Sequence, residues 1–386
     1  MKLGIAVLTL AYVLSQFYRA FLAVLSPELT AELGVSASQL SRASGIWFLA
    51  FAAMQIPVGW ALDRVGPRRT AAGLLTLAGG GGAALFATAQ AGWQIDLAMG
   101  LIGVGCAPVL MASYYIFART FRPAVFATLA ATLVGVGSLG NIAASVPLSW
   151  AAEAMGWRGA LWALAAITAA VGAVTWFAVR DPEAADGAED GSLLDVLKIP
   201  AFWAILPMML VNYAPAAGLR GLWAGPYVAE FYGPQFVGTV TLIMGLAMIA
   251  GNFVYGPLDR LTGTRKGVVL GGNLMGAAVL ACLWWVPVPG LWTAAAALAL
   301  VGALGSSYAV GVAHGRAFVP AHLTGRGVTL LNLFSIGGVG AMQFATGPVF
   351  EAAGGGVEGY RMLFGLFALA LAAGCAIYAF APDKTD

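Results

Sequence analysis

Apolar residues run along this chain in long stretches, interrupted by short clusters of charge, proline and glycine. A helix needs about 20 consecutive apolar residues to cross a bilayer. With charges and Pro/Gly clusters as punctuation, twelve such stretches are expected, at 4–25, 40–61, 71–90, 95–117, 125–148, 159–178, 201–228, 237–257, 267–286, 291–312, 327–350 and 361–381. Pro57, Pro108 and Pro215 fall inside them, which membrane helices tolerate. One long polar stretch, Arg180 to Pro200, separates six spans from six. Its acids (Asp181, Glu183, Asp186, Glu189, Asp190 and Asp195) read as a solvated linker, and Ser192 to Lys198 as a short interfacial helix. The pattern therefore predicts an all-α integral membrane protein with twelve transmembrane helices. They form two pseudo-symmetric six-helix bundles, 1–178 and 201–386, joined by a cytoplasmic linker at 179–200.

The first apolar stretch follows Lys2 and invites comparison with a signal peptide. It is longer than a signal core, contains Arg19 and leads into no small-x-small cleavage site, so it is read as an uncleaved span. Composition agrees: 60% of the 386 residues are hydrophobic and 9% are charged, against about 25% charged in soluble domains. A net charge of +2, with no clustered basic patch, argues against nucleic acid as a partner. Cys106, Cys282 and Cys375 show no ligand spacing and are expected as buried small hydrophobes. Neither a cofactor nor a metal site is expected.

Lysine and arginine set the orientation. Placing the N-terminus inside gives fourteen cytoplasmic cations against three outside (Arg42, Arg158 and Arg361), with Arg19 and Arg220 left within spans. Both termini are thus expected in the cytoplasm. The halves also resemble each other: an offset of 201 pairs Tyr12 with Tyr213, Arg19 with Arg220, Gly137 with Gly338 and Pro147 with Pro348, and an offset of 196 pairs Asp63-Arg64 with Asp259-Arg260. Two parallel six-span halves with a site between them is a transporter plan.

The loop after the second span reads GWALDRVGPRR, with Gly59, Asp63, Arg64, Gly66, Arg68 and Arg69. It resembles the signature loop of the major facilitator superfamily, at the same place between spans two and three. A degenerate copy, GPLDRLTGTRK (Gly256 to Lys266), stands between spans eight and nine with one extra residue. The resemblance extends over the whole chain in span count, linker and repeat, and it implies transport by alternating access. The glycines permit a tight turn, and the Asp63 carboxylate can cap a helix or pair with an arginine, either contact being breakable. Gly59, Asp63, Arg64, Gly66, Arg68, Asp259 and Arg260 are the expected gating residues. The superfamily's drug/proton antiporters carry an arginine in span four shortly before a GxG; here the run is MGLIGVG, with Met99 in that place.

Arg19 and Arg220 lie well inside predicted spans, where a charge costs about 2.5–3.5 kcal/mol on insertion scales. No acid is expected at their depth: Glu28, Glu32, Glu230 and Asp96 fall at outer ends of spans. An anionic substrate is the simplest partner, because guanidinium matches carboxylate and phosphate oxygens. Tyr12, Gln16, Tyr213 and Trp223 share helical faces with the arginines, and Tyr114, Asn141 and Asn332 are further polar residues within spans. This pattern resembles the superfamily's organic-anion branches, the organophosphate:phosphate antiporters and the anion:cation symporters. Members of the first hold phosphate with arginines from spans one and seven, here Arg19 and Arg220. The span-two stretch Ser44 to Arg64 shares their look.

The sequence thus points to a secondary active transporter of a small carboxylate or phosphate-bearing metabolite, not an enzyme, in a bacterial inner membrane and working as a monomer. Both histidines, His314 and His322, are placed in the loop after span ten. A coupling proton or counter-anion is a second expected partner. The alternatives are proton-coupled efflux of amphipathic drugs, copper transport through Met244 and Met248, and a non-transporting receptor on the same scaffold.

Overall fold

The computed structural model describes residues 2–182, 193–320 and 323–385. Most of the linker acids (Glu183, Asp186, Glu189 and Asp190), Ser192 and His322 lie outside them. Among the described residues, twenty α-helices follow one another and no strand occurs. The chain divides into two compact units, Met1–Asp186 and Gly187–Asp386.

The first unit contains α1 (Lys2–Phe17), α2 (Phe21–Leu33), α3 (Ala37–Ala53), α4 (Gln55–Arg64), α5 (Pro67–Leu74), α6 (Gly81–Ala87), α7 (Gly92–Thr120), α8 (Pro123–Gly137), α9 (Leu139–Ala143) and α10 (Val146–Ala178). A π-helical turn, Leu75–Gly80, joins α5 to α6 within one span. The second unit contains α11 (Leu193–Leu197), α12 (Pro200–Asn212), α13 (Ala214–Gly218), α14 (Ala224–Tyr232), α15 (Val237–Thr262), α16 (Arg265–Trp285), α17 (Leu291–Gly305), α18 (Tyr308–Arg316), α19 (Thr324–Ala352) and α20 (Gly356–Tyr378). A π-helical turn at Leu219–Trp223 joins α13 to α14. The short helix α11 stands where the interfacial helix was expected.

Among the described residues, ten helical stretches are long and apolar enough to span a membrane, and α1 with α2 form an eleventh, bent by 46°. The remaining expected span is built from pieces. It passes through the short apolar stretch Thr128–Ala143 and into α10, which continues across Gly156 at φ 73°. That left-handed glycine ends one span and starts the next without a loop, a conformation that other residues adopt only at a cost. The twelve-span organisation therefore stands, with span five assembled from α8, α9 and the start of α10.

Helix packing uses small residues, as expected where lipid removes the hydrophobic drive between helices. Gly105 of α7 lies against Gly79 of the first π-helical turn, leaving no room for a Cβ. Gly140 of α9 sits equally close to the α1 backbone at Val13. Cys106 and Cys375 are buried as expected, but Cys282 is exposed. It lies on an exposed face of α16, a helix long and apolar enough to cross a membrane.

His314 requires a second correction. It occupies the last turn of α18 rather than a loop, and it is fully buried. Its apolar neighbours in sequence extend the helix past the predicted end at residue 312. Met244 and Met248 flank Gly302 of α17, so these thioethers fill a helix contact.

Candidate functional site

Arg19 stands in the bend between α1 and α2, at Tyr18–Ala20, where the regular helical hydrogen bonding lapses. Its half-buried guanidinium lies 4.8 Å from the Phe51 ring centroid and 5.6 Å from that of Trp47. Its Nε and the Trp47 Nε1 are both buried without a hydrogen-bond partner. A buried donor without a partner costs about 1–3 kcal/mol. One such donor on the cation and a second on the indole beside it therefore favour an acceptor ligand. Gln16 donates to the Tyr12 hydroxyl at 2.7 Å, and Tyr12 is buried, with Gly137 of α8 leaving room for its ring. Tyr114 of α7 stacks edge-on against Phe126, within electrostatic range of Tyr12. Asn141 is half-buried on α9, beside the Gly140 contact with α1. The first unit thus gathers Tyr12, Gln16, Arg19 and Tyr114. Trp47 and Phe51 join them from α3, a contribution that sequence alone did not single out.

Arg220 has a parallel setting in the second unit. It belongs to the π-helical turn Leu219–Trp223 and is 2% exposed. Gly245 of α15 faces its guanidinium, and a Cβ there would stand 3.5 Å from Nε and from Nη2. Tyr213, at the break between α12 and α13, lies within electrostatic range of Arg220 and stacks on Tyr308 at 4.9 Å. Trp223 is placed differently. Its ring is fully buried against Phe350 and Tyr360, and its Nε1 donates to Gln343 Oε1 at 3.1 Å and Thr346 Oγ1 at 3.0 Å. Gln343 in turn donates to the Gly218 carbonyl at 3.2 Å. Trp223 therefore braces the turn that carries Arg220. Asn332 is half-buried on α19.

The loop motif is built into both units. In the first, Gly66 adopts φ 96° as it caps α5, and Gly59 faces Met111 of α7. Asp63, largely exposed, reaches Arg119 at 3.8 Å; Arg64 is exposed. The carboxylate on the N-terminus of α5 comes instead from Asp181, just past α10. Its Oδ1 accepts from the Arg68 backbone N–H at 2.8 Å, and its Oδ2 lies 3.5 Å from Arg68 Nε. The second unit repeats this fastening. Asp383, just past α20, accepts from the Lys266 backbone N–H at 3.0 Å on the N-terminus of α16, and also from the Thr264 hydroxyl. Asp259 pairs with Arg265 at 3.1 Å with both side chains mostly buried, and Arg260 is exposed. Each expected outer cation has an acid beside it: Arg42 with Asp96, Arg158 with Glu32, and Arg361 with Glu358.

Solved structures share this architecture across nearly the whole chain. A bacterial homolog of the human lysosomal transporter Spinster, in an inward-facing unoccupied conformation, aligns with a TM-score of 0.75 at 17% identity. The alignment covers 98% of this chain and 96% of that one. A bacterial Spinster homolog in an inward-facing, occupied conformation gives a TM-score of 0.74 at 19% identity over 98% of this chain and 96% of that one. At such identities the likeness shows the fold alone. No curated protein sequence matches the chain. A family profile, that of the Major Facilitator Superfamily, matches residues 8–222, more than half of the chain. With its membrane-spanning helices and its twice-used loop motif, this chain belongs to the Major Facilitator Superfamily of membrane transporters.

Proposed function

We propose that this transporter carries a small organic anion, a carboxylate or phosphate-bearing metabolite, by alternating access across a bacterial inner membrane. One observation carries the reading: each unit holds an arginine where its first membrane helix departs from α-geometry, Arg19 at the bend and Arg220 in the π-helical turn. Such breaks bring a cation to the helix surface at depths where its burial is costly. Anion binding offsets that cost, and guanidinium is suited to hold carboxylate or phosphate. The orphaned donors of Arg19 and Trp47 point to an acceptor on the ligand, and the Phe51 and Trp47 rings suit an apolar body attached to it.

That aromatic wall also favours a second reading, efflux of amphipathic compounds. A thermal-shift screen of purified protein separates the two, because a ligand of the folded state raises the melting point by mass action. Stabilisation by carboxylates or sugar phosphates, lost in Arg19→Gln and in Arg220→Gln, is the expected result. Stabilisation by cationic or neutral amphiphiles alone, unchanged in both variants, sinks the anion reading.

A further inference from the structure

Of the two histidines in the chain, His314 lies in the interior of the second unit. Both of its ring nitrogens are engaged. Nε2 is 3.0 Å from the Pro382 carbonyl, and Nδ1 is 2.6 Å from the Tyr378 hydroxyl. A proline carbonyl can only accept, so Nε2 carries the proton and the Tyr378 O–H donates to Nδ1. The ring thereby holds the tail that follows α20. The same tail supplies Asp383, whose Oδ1 is 3.8 Å from His314 Nε2 and also accepts from the Lys266 N–H. One carboxylate thus stands between a titratable ring and the N-terminus of α16. Lys266 Nζ ties the tail down further by donating to the Ala379 carbonyl at 2.6 Å.

We propose that His314 is a proton-binding site, and that proton uptake draws the Asp383 carboxylate from the N-terminus of α16 toward the imidazolium. The proton enters at Nδ1, and the Tyr378 hydroxyl turns from donor to acceptor. The ring, now cationic, keeps its Nε2–H and competes with Thr264 and Lys266 for Asp383. The charged groups around it make Asp383 the acid available for this role. From α16 come Arg265 and Lys266, and Arg265 also reaches the Ala313 carbonyl at 3.5 Å. From α15 come Asp259, held by Arg265, the exposed Arg260 and the phenol of Tyr255. From α19 comes Arg326, α18 itself adds the exposed Arg316, and α12 has no ionisable side chain. The tail adds Lys384, seated over Phe318. Loosening Asp383 frees the start of α16, which is the end of the second copy of the loop motif. The first unit supplies an internal control: Asp181 fastens α5 in the same way, with Trp176 and Phe177 near the end of α10 where α20 has Tyr378.

The titration needs no substrate, so its outcome is independent of whether the transported solute is an anion. The probe is the proton itself, applied to intact purified protein. Nitrogen-15 NMR of selectively labelled histidine, with His322→Asn to leave one signal set, reads the ring directly. Hydrogen exchange, corrected for intrinsic pH dependence, reads the amides of 264–268 and, as control, those of 66–70. The expected result is an Nε2–H tautomer that converts to imidazolium on acidification. Exchange at 264–268 should quicken in the same pH range, with no step at 66–70. Asp383→Asn should move the ring titration to lower pH and abolish the exchange step. A ring that stays neutral until the protein unfolds overturns the proposal. So does an unchanged titration in Asp383→Asn. An equal step at 66–70 overturns it as well, because that outcome assigns the effect to the carboxylates. His314→Gln should likewise abolish the exchange step, and an unchanged step in it overturns the proposal; the wild-type and Asp383→Asn measurements suffice if that variant does not fold.

Discussion

Trp223→Phe is a sharp test of how the arginine-bearing turn of the second unit is held. The substitution keeps an aromatic ring against Phe350 and Tyr360 but removes the N–H that serves Gln343 and Thr346. All three side chains are fully buried. The Thr346 hydroxyl still donates to Gln343, so no acceptor is orphaned, and the loss is that of a net hydrogen bond, about 0.5–1.5 kcal/mol; the void left by the smaller ring adds about 1 kcal/mol. The sum is about 1.5–2.5 kcal/mol. For a cooperative unit of this size, that lowers the melting point by roughly 3–10 °C. Gln343 also holds the Gly218 carbonyl, so its loosening should weaken anion stabilisation through Arg220 as well. The assay is thermal unfolding of purified Trp223→Phe, Gln343→Leu and the double variant, each with and without ligand. The double variant should lose less than the sum of the singles, by about 1 kcal/mol, because one bond is removed twice. A single variant melting within about 1 °C of the parent, or strict additivity, refutes the bracing role.

Further outcomes follow from contacts elsewhere. Asp181→Ala should destabilise the first unit by about 1–2 kcal/mol, through loss of a helix cap and its charge–dipole attraction, as measured by thermal unfolding. Asp383 feels burial, which raises its pKa, but hydrogen bonds from Thr264 and Lys266 and the nearby His314 together hold it below the ordinary 3.8. Its stabilising contribution is therefore complete above that ordinary value and is lost as pH falls through the lower folded-state value; Asp383→Asn should flatten that part of an acid-melting curve. Gly105→Val should cost about 1–3 kcal/mol or more by forcing α7 from the first π-helical turn, read as a lowered melting point. Arg42→Ala breaks an exposed pair with Asp96 and should change stability by no more than about 1 kcal/mol.

The spans were legible because each is a long apolar run closed by charge or glycine, and most boundaries fell within a few residues of the helices observed. The internal breaks were less so. Tyr18–Ala20 contains neither glycine nor proline, so nothing local announces the bend that carries Arg19. Gly156 was one glycine among 52, and what distinguishes it is a positive φ inside a helix. The two arginines stood out from charge and depth alone, whereas Trp47 and Phe51 looked like ordinary span-two residues until α3 was placed beside the bend. Asp181 read as one acid in a polar linker. Its contact with Arg68 spans 113 positions, a distance over which no sequence period operates.

The fastening of α5 by Asp181 bears on where this polypeptide can be cut. A fragment ending before residue 181 would lack the carboxylate that closes its own third span, whereas one ending just after Pro182 would keep it. Two co-expressed fragments divided between residues 182 and 193 would each retain a terminal acid of their own, Asp181 in one and Asp383 in the other. Division a few residues earlier would leave the first fragment with an uncapped helix start and the second with a surplus aspartate. The tolerated break point is therefore set by one side chain, and it lies to the C-terminal side of the last apolar residue of α10.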